Sequence, residues 1–208
     1  MERIGELILF FAFVLVSVIL HELAHGWVSY LLGDPTPKDA GRLSFSPARH
    51  LDPLGTLIPI ILYMMGSRLL IGWAKPVPIN PLYYKNRRLG IFLVGIAGPT
   101  ANFLIALFSL FLASHLPPQG GELLMYLALL NLVLMMFNLL PIPPLDGSRI
   151  VQIFLPSSWL FWYYSLERVG FVIIFLLLFL FPASLRYLHF LVLSLFTYLN
   201  HFFSLPAF

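Results

Sequence analysis

The sequence predicts an all-α polytopic membrane protein, and two observations carry that prediction. Of the 208 residues, 60% are hydrophobic and 10% are charged, and the mean hydropathy is +0.91. A water-soluble core has no room to hide so much apolar surface. The apolar residues also come in long runs, punctuated by Pro, Gly and charge, near the ~20 residues that a helix needs to cross a bilayer. The expected architecture is about five full transmembrane helices, a re-entrant or interfacial segment, and short β-like loop strands near a functional site. One membrane-embedded domain covers 1–208, with a core over about 7–155 and C-terminal helices over about 157–204.

The first helix is expected from Leu7 to Leu32, where Gly33-Asp34-Pro35 ends it. Its amino-terminal flank, Met1 to Glu6, does not read as a signal peptide, because Arg3 is outweighed by Glu2 and Glu6. Residues 33–53 are polar and Pro-rich, and Arg42-Leu43-Ser44-Phe45-Ser46 alternates as a short strand does. Leu54–Ile71 is apolar but holds Gly55, Pro59 and Gly66. The prolines of Gly72-Trp73-Ala74-Lys75-Pro76-Val77-Pro78-Ile79-Asn80-Pro81 favour an extended chain. Spanning helices follow from Leu89 to about His115 and from Leu123 to Leu140. Further helices are expected from Trp159 to Phe181 and from Leu185 to about Phe203.

Seven of the twelve Lys and Arg lie in 33–53 and 72–88. The positive-inside bias puts both segments on the cytoplasmic side. Leu54–Ile71 must then start and end on that side, so it is expected to be re-entrant or interfacial, or a pair of short helices. The net charge of +3 reads as topology, not as a nucleic-acid footprint. Nothing in the chain sets an oligomeric state.

The first helix carries His21-Glu22-Leu23-Ala24-His25 inside an apolar run. Positions four apart share a helix face, so both imidazoles can hold one metal ion, with Glu22 beside it to take a proton from water. This is the H-E-x-x-H pattern of zinc peptidases. Ionisable groups at membrane depth are costly, and a metal gives these three a partner. The chain has no cysteine, so a third ligand must be His, Asp or Glu. A metzincin pattern fails, because Val28 and Leu31 stand where it needs Gly and His. Glu122 lies at a far-side turn and Glu167 adjoins Arg168. His50, His115, His189 and His201 read as interfacial histidines. Asp146 follows Pro141, Pro143 and Pro144 and precedes Gly147, which unwinds the chain and re-aims one carboxylate. Its depth also matches that of His25, which lies about 10 Å from the helix end.

Four stretches together resemble the site-2 protease family of zinc intramembrane proteases. They are His21–His25, Gly72–Pro78, Gly98-Pro99-Thr100-Ala101-Asn102, and Asn138-Leu139-Leu140-Pro141 through Leu145-Asp146-Gly147. The resemblance covers about residues 7–155. It implies that His21, His25 and Asp146 bind one zinc ion and that Glu22 is the base. It also implies that Asn138 helps hold the oxyanion. By the same resemblance the chain is a zinc-dependent intramembrane endopeptidase in the lipid bilayer; it is expected in a prokaryotic cell membrane, and the positive-inside bias of the loops puts its site toward the cytoplasm. Its partners would be transmembrane or membrane-tethered substrates. No stretch reads as an inserted PDZ domain or a C-terminal CBS domain. Two rivals make different demands. A zinc-binding transporter needs a second ligand set toward the far side, where only Asn131 and Ser109 stand. A non-proteolytic relative that binds membrane segments has no need of Glu22. An extended substrate needs a docking edge, expected at Arg42–Ser46, with Lys75–Asn80 as the opposing wall.

Overall fold

The computed structural model describes residues 2–65 and 74–205. The chain is helical: α1 Glu2–Leu31, α2 Thr36–Asp39, α3 Pro53–Met64, α4 Arg87–Ala113, α5 Pro118–Asn138, α6 Asp146–Val151, α7 Ser157–Ser165, α8 Gly170–Leu180 and α9 Pro182–Phe202. Three stretches are long and apolar enough to cross a membrane among the described residues: Ile8–Leu31, Arg87–Ala113 and Gly120–Asn138. That is fewer than the five full spans expected. The expected helix Trp159–Phe181 is broken by a 3₁₀ turn at Leu166–Arg168, where the charged pair Glu167 and Arg168 is exposed. α9 is 21 residues long, but Arg186, His189, Asn200 and His201 dilute its apolar character.

The bundle is apolar outside and mixed inside, as lipid demands. Leu104, Phe108 and Val133 are exposed, while Ser17, Asn102, Ser109 and Asn131 are buried. Ala106, Leu110, Met125, Leu132, Val192 and Phe196 form the core where α4, α5 and α9 meet. α1 lies antiparallel to α4: Ser29 bonds Tyr84 just before α4, His25 bonds Val94, and Gly98 faces His21. Asn131 ties α5 to α1 by donating to Ser17 Oγ at 2.9 Å.

The segment expected to re-enter begins as α3, twelve residues long. At helical rise that is about 18 Å, short of the ~30 Å hydrocarbon core. Residues 66–73, including Gly72 and Trp73, lie outside the described residues. The expected strand Arg42–Ser46 is not one. Among the described residues, β-type pairing is a single antiparallel bridge between Leu51 and Ala74. His50 explains the difference. It is buried, not interfacial; its Nε2 meets the Ser44 carbonyl at 2.7 Å, and its own carbonyl accepts from Lys75 N–H at 2.9 Å. A side chain and one bridge therefore join the two loops, and Arg42–Ser46 is not the short strand expected.

Asp34 anchors these loops to α1. It is fully buried and accepts from Ser29 Oγ at 2.8 Å, Asn80 N–H at 2.7 Å, Thr36 N–H at 3.0 Å and the Thr36 hydroxyl. Burial alone raises its pKa, but the Thr36, Asn80 and Ser29 donors outweigh burial and hold it below the ordinary carboxylate range. Its stabilising effect is thus present above about pH 4 and fades as pH falls through the lowered value. Asp34→Ala strands these donors and should cost about 2–3 kcal/mol at pH 7. The gap from wild type should shrink below pH 3.5 or so. Thermal unfolding in detergent at both pH values checks this.

Candidate metal centre

His21 and His25 are brought together by helix geometry alone, on successive turns of α1. Their rings meet edge to face, with centroids 4.7 Å apart. Asp146 arrives from the other end of the chain. Pro141, Pro143 and Pro144 follow α5 and lack N–H donors, so the helix cannot continue. The chain turns through hydrogen bonds from Ile142 N–H to Leu140 O and from Leu145 N–H to Ile142 O. α6 then starts at Asp146, with Gly147 packed on the end of α5. A Cβ at 147 would strike the Leu139 and Leu140 carbonyl oxygens, so glycine permits this approach.

The three ligand atoms converge. His21 Nε2 to His25 Nε2, His25 Nε2 to Asp146 Oδ2, and His21 Nε2 to Asp146 Oδ2 are each 3.1 Å. All three residues are buried. Ligand atoms at about 2.0–2.1 Å from a tetrahedral metal stand about 3.3 Å apart, so this triangle matches one face of such a site. The tautomer agrees. His25 Nδ1 lies 2.6 Å from the Val94 carbonyl, and only a donated N–H makes that contact favourable. A neutral ring with its proton on Nδ1 presents a bare lone pair at Nε2. That lone pair and the Asp146 carboxylate oxygen, 3.1 Å apart, cannot satisfy each other, and a shared cation can.

Space for that cation comes from α4. A Cβ on Gly98 would fall onto His25 Nε2 and within 2.6 Å of His21 Nε2, so a side chain there would occupy the coordination position. Among the described residues, no other group of three His, Asp or Glu side chains offers ligand atoms in this way.

Glu22 is half-buried beside the triangle. Its Oε2 accepts from Val77 N–H at 2.8 Å. Val77 lies between Pro76 and Pro78, so it supplies the one N–H of that tripeptide, and it is itself buried. The Pro-rich loop is thereby tied to the carboxylate through one of its two oxygens. Arg149 Nη1 stands 3.6 Å from Asp146 Oδ1. Asn138 is not drawn into the group: its Nδ2 donates to Leu134 O, one turn back on α5, at 2.9 Å. Val77 and Gly98 lie in stretches the sequence marked, but their contacts with Glu22 and the histidines, and the part played by Val94, were not foreseen. The spacing Val94, Gly98, Asn102 on one face of α4 is the sequence signal that marks the two on that helix.

A buried two-histidine, one-aspartate face with an adjacent carboxylate, set among apolar helices, defines a metal-dependent peptidase of membranes. Comparison with known proteins agrees. The profile of Peptidase family M50 matches residues 119–181. YwhC of Bacillus subtilis, which carries a zinc metalloprotease name, is 40% identical over 182 residues, covering 82% of this chain and 80% of that protein. Rip2 of Mycobacterium tuberculosis, similarly named, is 32% identical over 155 residues, covering 71% of this chain and 58% of its own length. Rip2 of Mycolicibacterium smegmatis is 29% identical over 154 residues, 57% of its length. No solved structure matches. The chain belongs to peptidase family M50, the site-2 protease family, and is a protease.

Gly98→Ala should cut divalent-metal affinity by about 10–100-fold or more, because its methyl group takes the metal's place, while the helical content holds. Metal analysis and circular dichroism of the purified variant check both halves.

Proposed function

We propose that the protein is a zinc-dependent intramembrane endopeptidase that cuts transmembrane segments of membrane-tethered substrates near the cytoplasmic side. The observation that carries this is the triangle of His21, His25 and Asp146 beside Glu22. Zinc held by His21 Nε2, His25 Nε2 and Asp146 would supply a Lewis acid that polarises the scissile carbonyl and lets water lose a proton near neutral pH.

The remaining work falls to the chain. His25, clamped by Val94 O, keeps its lone pair aimed inward. Glu22 takes the proton from the attacking water on its other oxygen and delivers it to the leaving amine. The Val77 N–H holds the other oxygen, so the carboxylate keeps its direction during both transfers. In this reading Asn138 turns from Leu134 O toward the developing oxyanion when a substrate is bound.

A transmembrane substrate has its carbonyls bonded within its own helix, and in lipid each broken bond needs a new partner. In this reading an unwound segment docks on the edge at Arg42–Ser46, with Lys75–Asn80 as the opposing wall; the two loops are joined through His50 and the Leu51–Ala74 bridge, and Val77 of the second meets Glu22. Release of membrane-tethered regulators or clearance of signal-peptide remnants is the matching cellular role.

Glu22→Gln should retain zinc and lose cleavage by at least about 10²–10⁴-fold, since it removes the base but no ligand. Mass spectrometry of the membrane proteome with wild type and variant checks this, and equal processing by the two would sink the reading. Topology has its own test. Lys38→Cys and Lys85→Cys should both react with an impermeant thiol reagent only after the membrane is opened, whereas Gln119→Cys should react in intact cells.

A further inference from the structure

His21 is held less completely than His25. For its Nε2 to be a ligand, the neutral ring must carry its proton on Nδ1. In His25 that proton has an acceptor, the Val94 carbonyl at 2.6 Å. His21 Nδ1 is buried and has no hydrogen-bond partner. A buried N–H without an acceptor is disfavoured, and a ring free to carry its proton on Nε2 cannot bind metal.

One group stands ready to supply the acceptor. Asn102 is 1% exposed, and neither its Nδ2 nor its Oδ1 has a partner. It lies one turn beyond Gly98 on the same face of α4. Gly98 is already against the His21 ring, its would-be Cβ 2.5 Å from Cε1 and 2.6 Å from Nε2. Helical side chains lean toward the helix N-terminus, and carbonyls point the other way. The Asn102 carboxamide therefore leans back toward Gly98, while the Val94 carbonyl leans forward toward it. The two groups bracket the metal position from opposite ends of two turns. Asn102 is also within interaction range of the His21 ring.

We propose that Asn102 is a positioning residue for the metal centre, its carboxamide oxygen accepting the Nδ1–H of His21 and so leaving the Nε2 lone pair aimed at the metal. The inference rests on the reading of His21, His25 and Asp146 as the ligands. It requires the carboxamide to turn about its Cβ–Cγ bond, a soft torsion, so that Oδ1 faces the ring. α4 then orients both histidines of α1, one through a main-chain carbonyl and one through a side chain. A residue that only glued helices together in lipid would act on stability instead.

The experiment uses the full chain in detergent, with Zn²⁺ as the probe in competition with a chromophoric chelator. Asn102→Leu keeps the volume and removes the acceptor; Asn102→Asp keeps an acceptor. Asn102→Leu should weaken zinc binding by about 10–100-fold, and Asn102→Asp should stay within about threefold of wild type. The metal-free Asn102→Leu protein should melt no lower than metal-free wild type, because without the metal the Asn102 amide is buried and unpartnered, and it gains His21 only when the metal fixes that ring's proton on Nδ1. Should the Leu variant fail to fold, Asn102→Ala replaces it with the same expected loss of affinity. Wild-type affinity in the apolar variant, or an equal loss with Asp and Leu, overturns the proposal. His21→Ala in parallel separates the two readings. Undiminished zinc there overturns the metal site itself. Zinc lost there but kept in Asn102→Leu overturns only the role of Asn102.

Discussion

Two imidazole nitrogens and one carboxylate oxygen stand 3.1 Å from one another inside a bundle of apolar helices, and much of the architecture answers to that convergence. Polar atoms at this depth have no water to turn to, and each left unsatisfied is costly. A bound cation removes the conflict among the three, but only if the helices come close enough to leave its space and no more. α4 must then present a glycine to α1, and α5 must stop short of the full turn that would carry Asp146 away. Gly98 and the prolines after Asn138 meet those two demands.

The loops on the same side of the bundle are organised by buried polar hubs, not by a sheet. Asp34 joins the end of α1 to Thr36 and Asn80, and His50 joins Ser44 to Lys75. Both hubs hold the Pro-rich loop near the metal position, where the Val77 N–H reaches Glu22. Prolines suit such a loop because they lower the number of N–H groups that need partners at depth. The one donor left between Pro76 and Pro78, the Val77 N–H, goes to the Glu22 carboxylate. The course of the loop and the direction of the Glu22 carboxylate thus depend on the same few hydrogen bonds.

Much of this was legible in the residues. Membrane residence follows from 60% hydrophobic content, and the spans around α1, α4 and α5 follow from run length. His21, Glu22 and His25 announce themselves because a spacing of four places side chains on one helix face whatever the surroundings. Asp146 stood out by elimination and by its proline-rich approach. The misjudged parts share one feature. The alternation in Arg42–Ser46 is real, yet a strand needs a partner strand, and the partner present is the imidazole of His50. Trp159–Phe181 is apolar throughout its flanks, yet Glu167 and Arg168 sit in a turn that breaks it. His50 itself reads as interfacial until the fold buries it.

The sequence by itself determined the helical, lipid-embedded class, the pair of imidazoles and the carboxylate beside them, because backbone geometry translates short spacings directly into shared faces. Tertiary structure alone decided that the Val94 carbonyl clamps His25. It alone decided that Val77 holds Glu22 and that Gly98 leaves the metal its room. Those contacts are made by main-chain atoms, or by the absence of a side chain, on elements brought together by packing, and no local pattern of residue types specifies which carbonyl or which gap a distant side chain will meet.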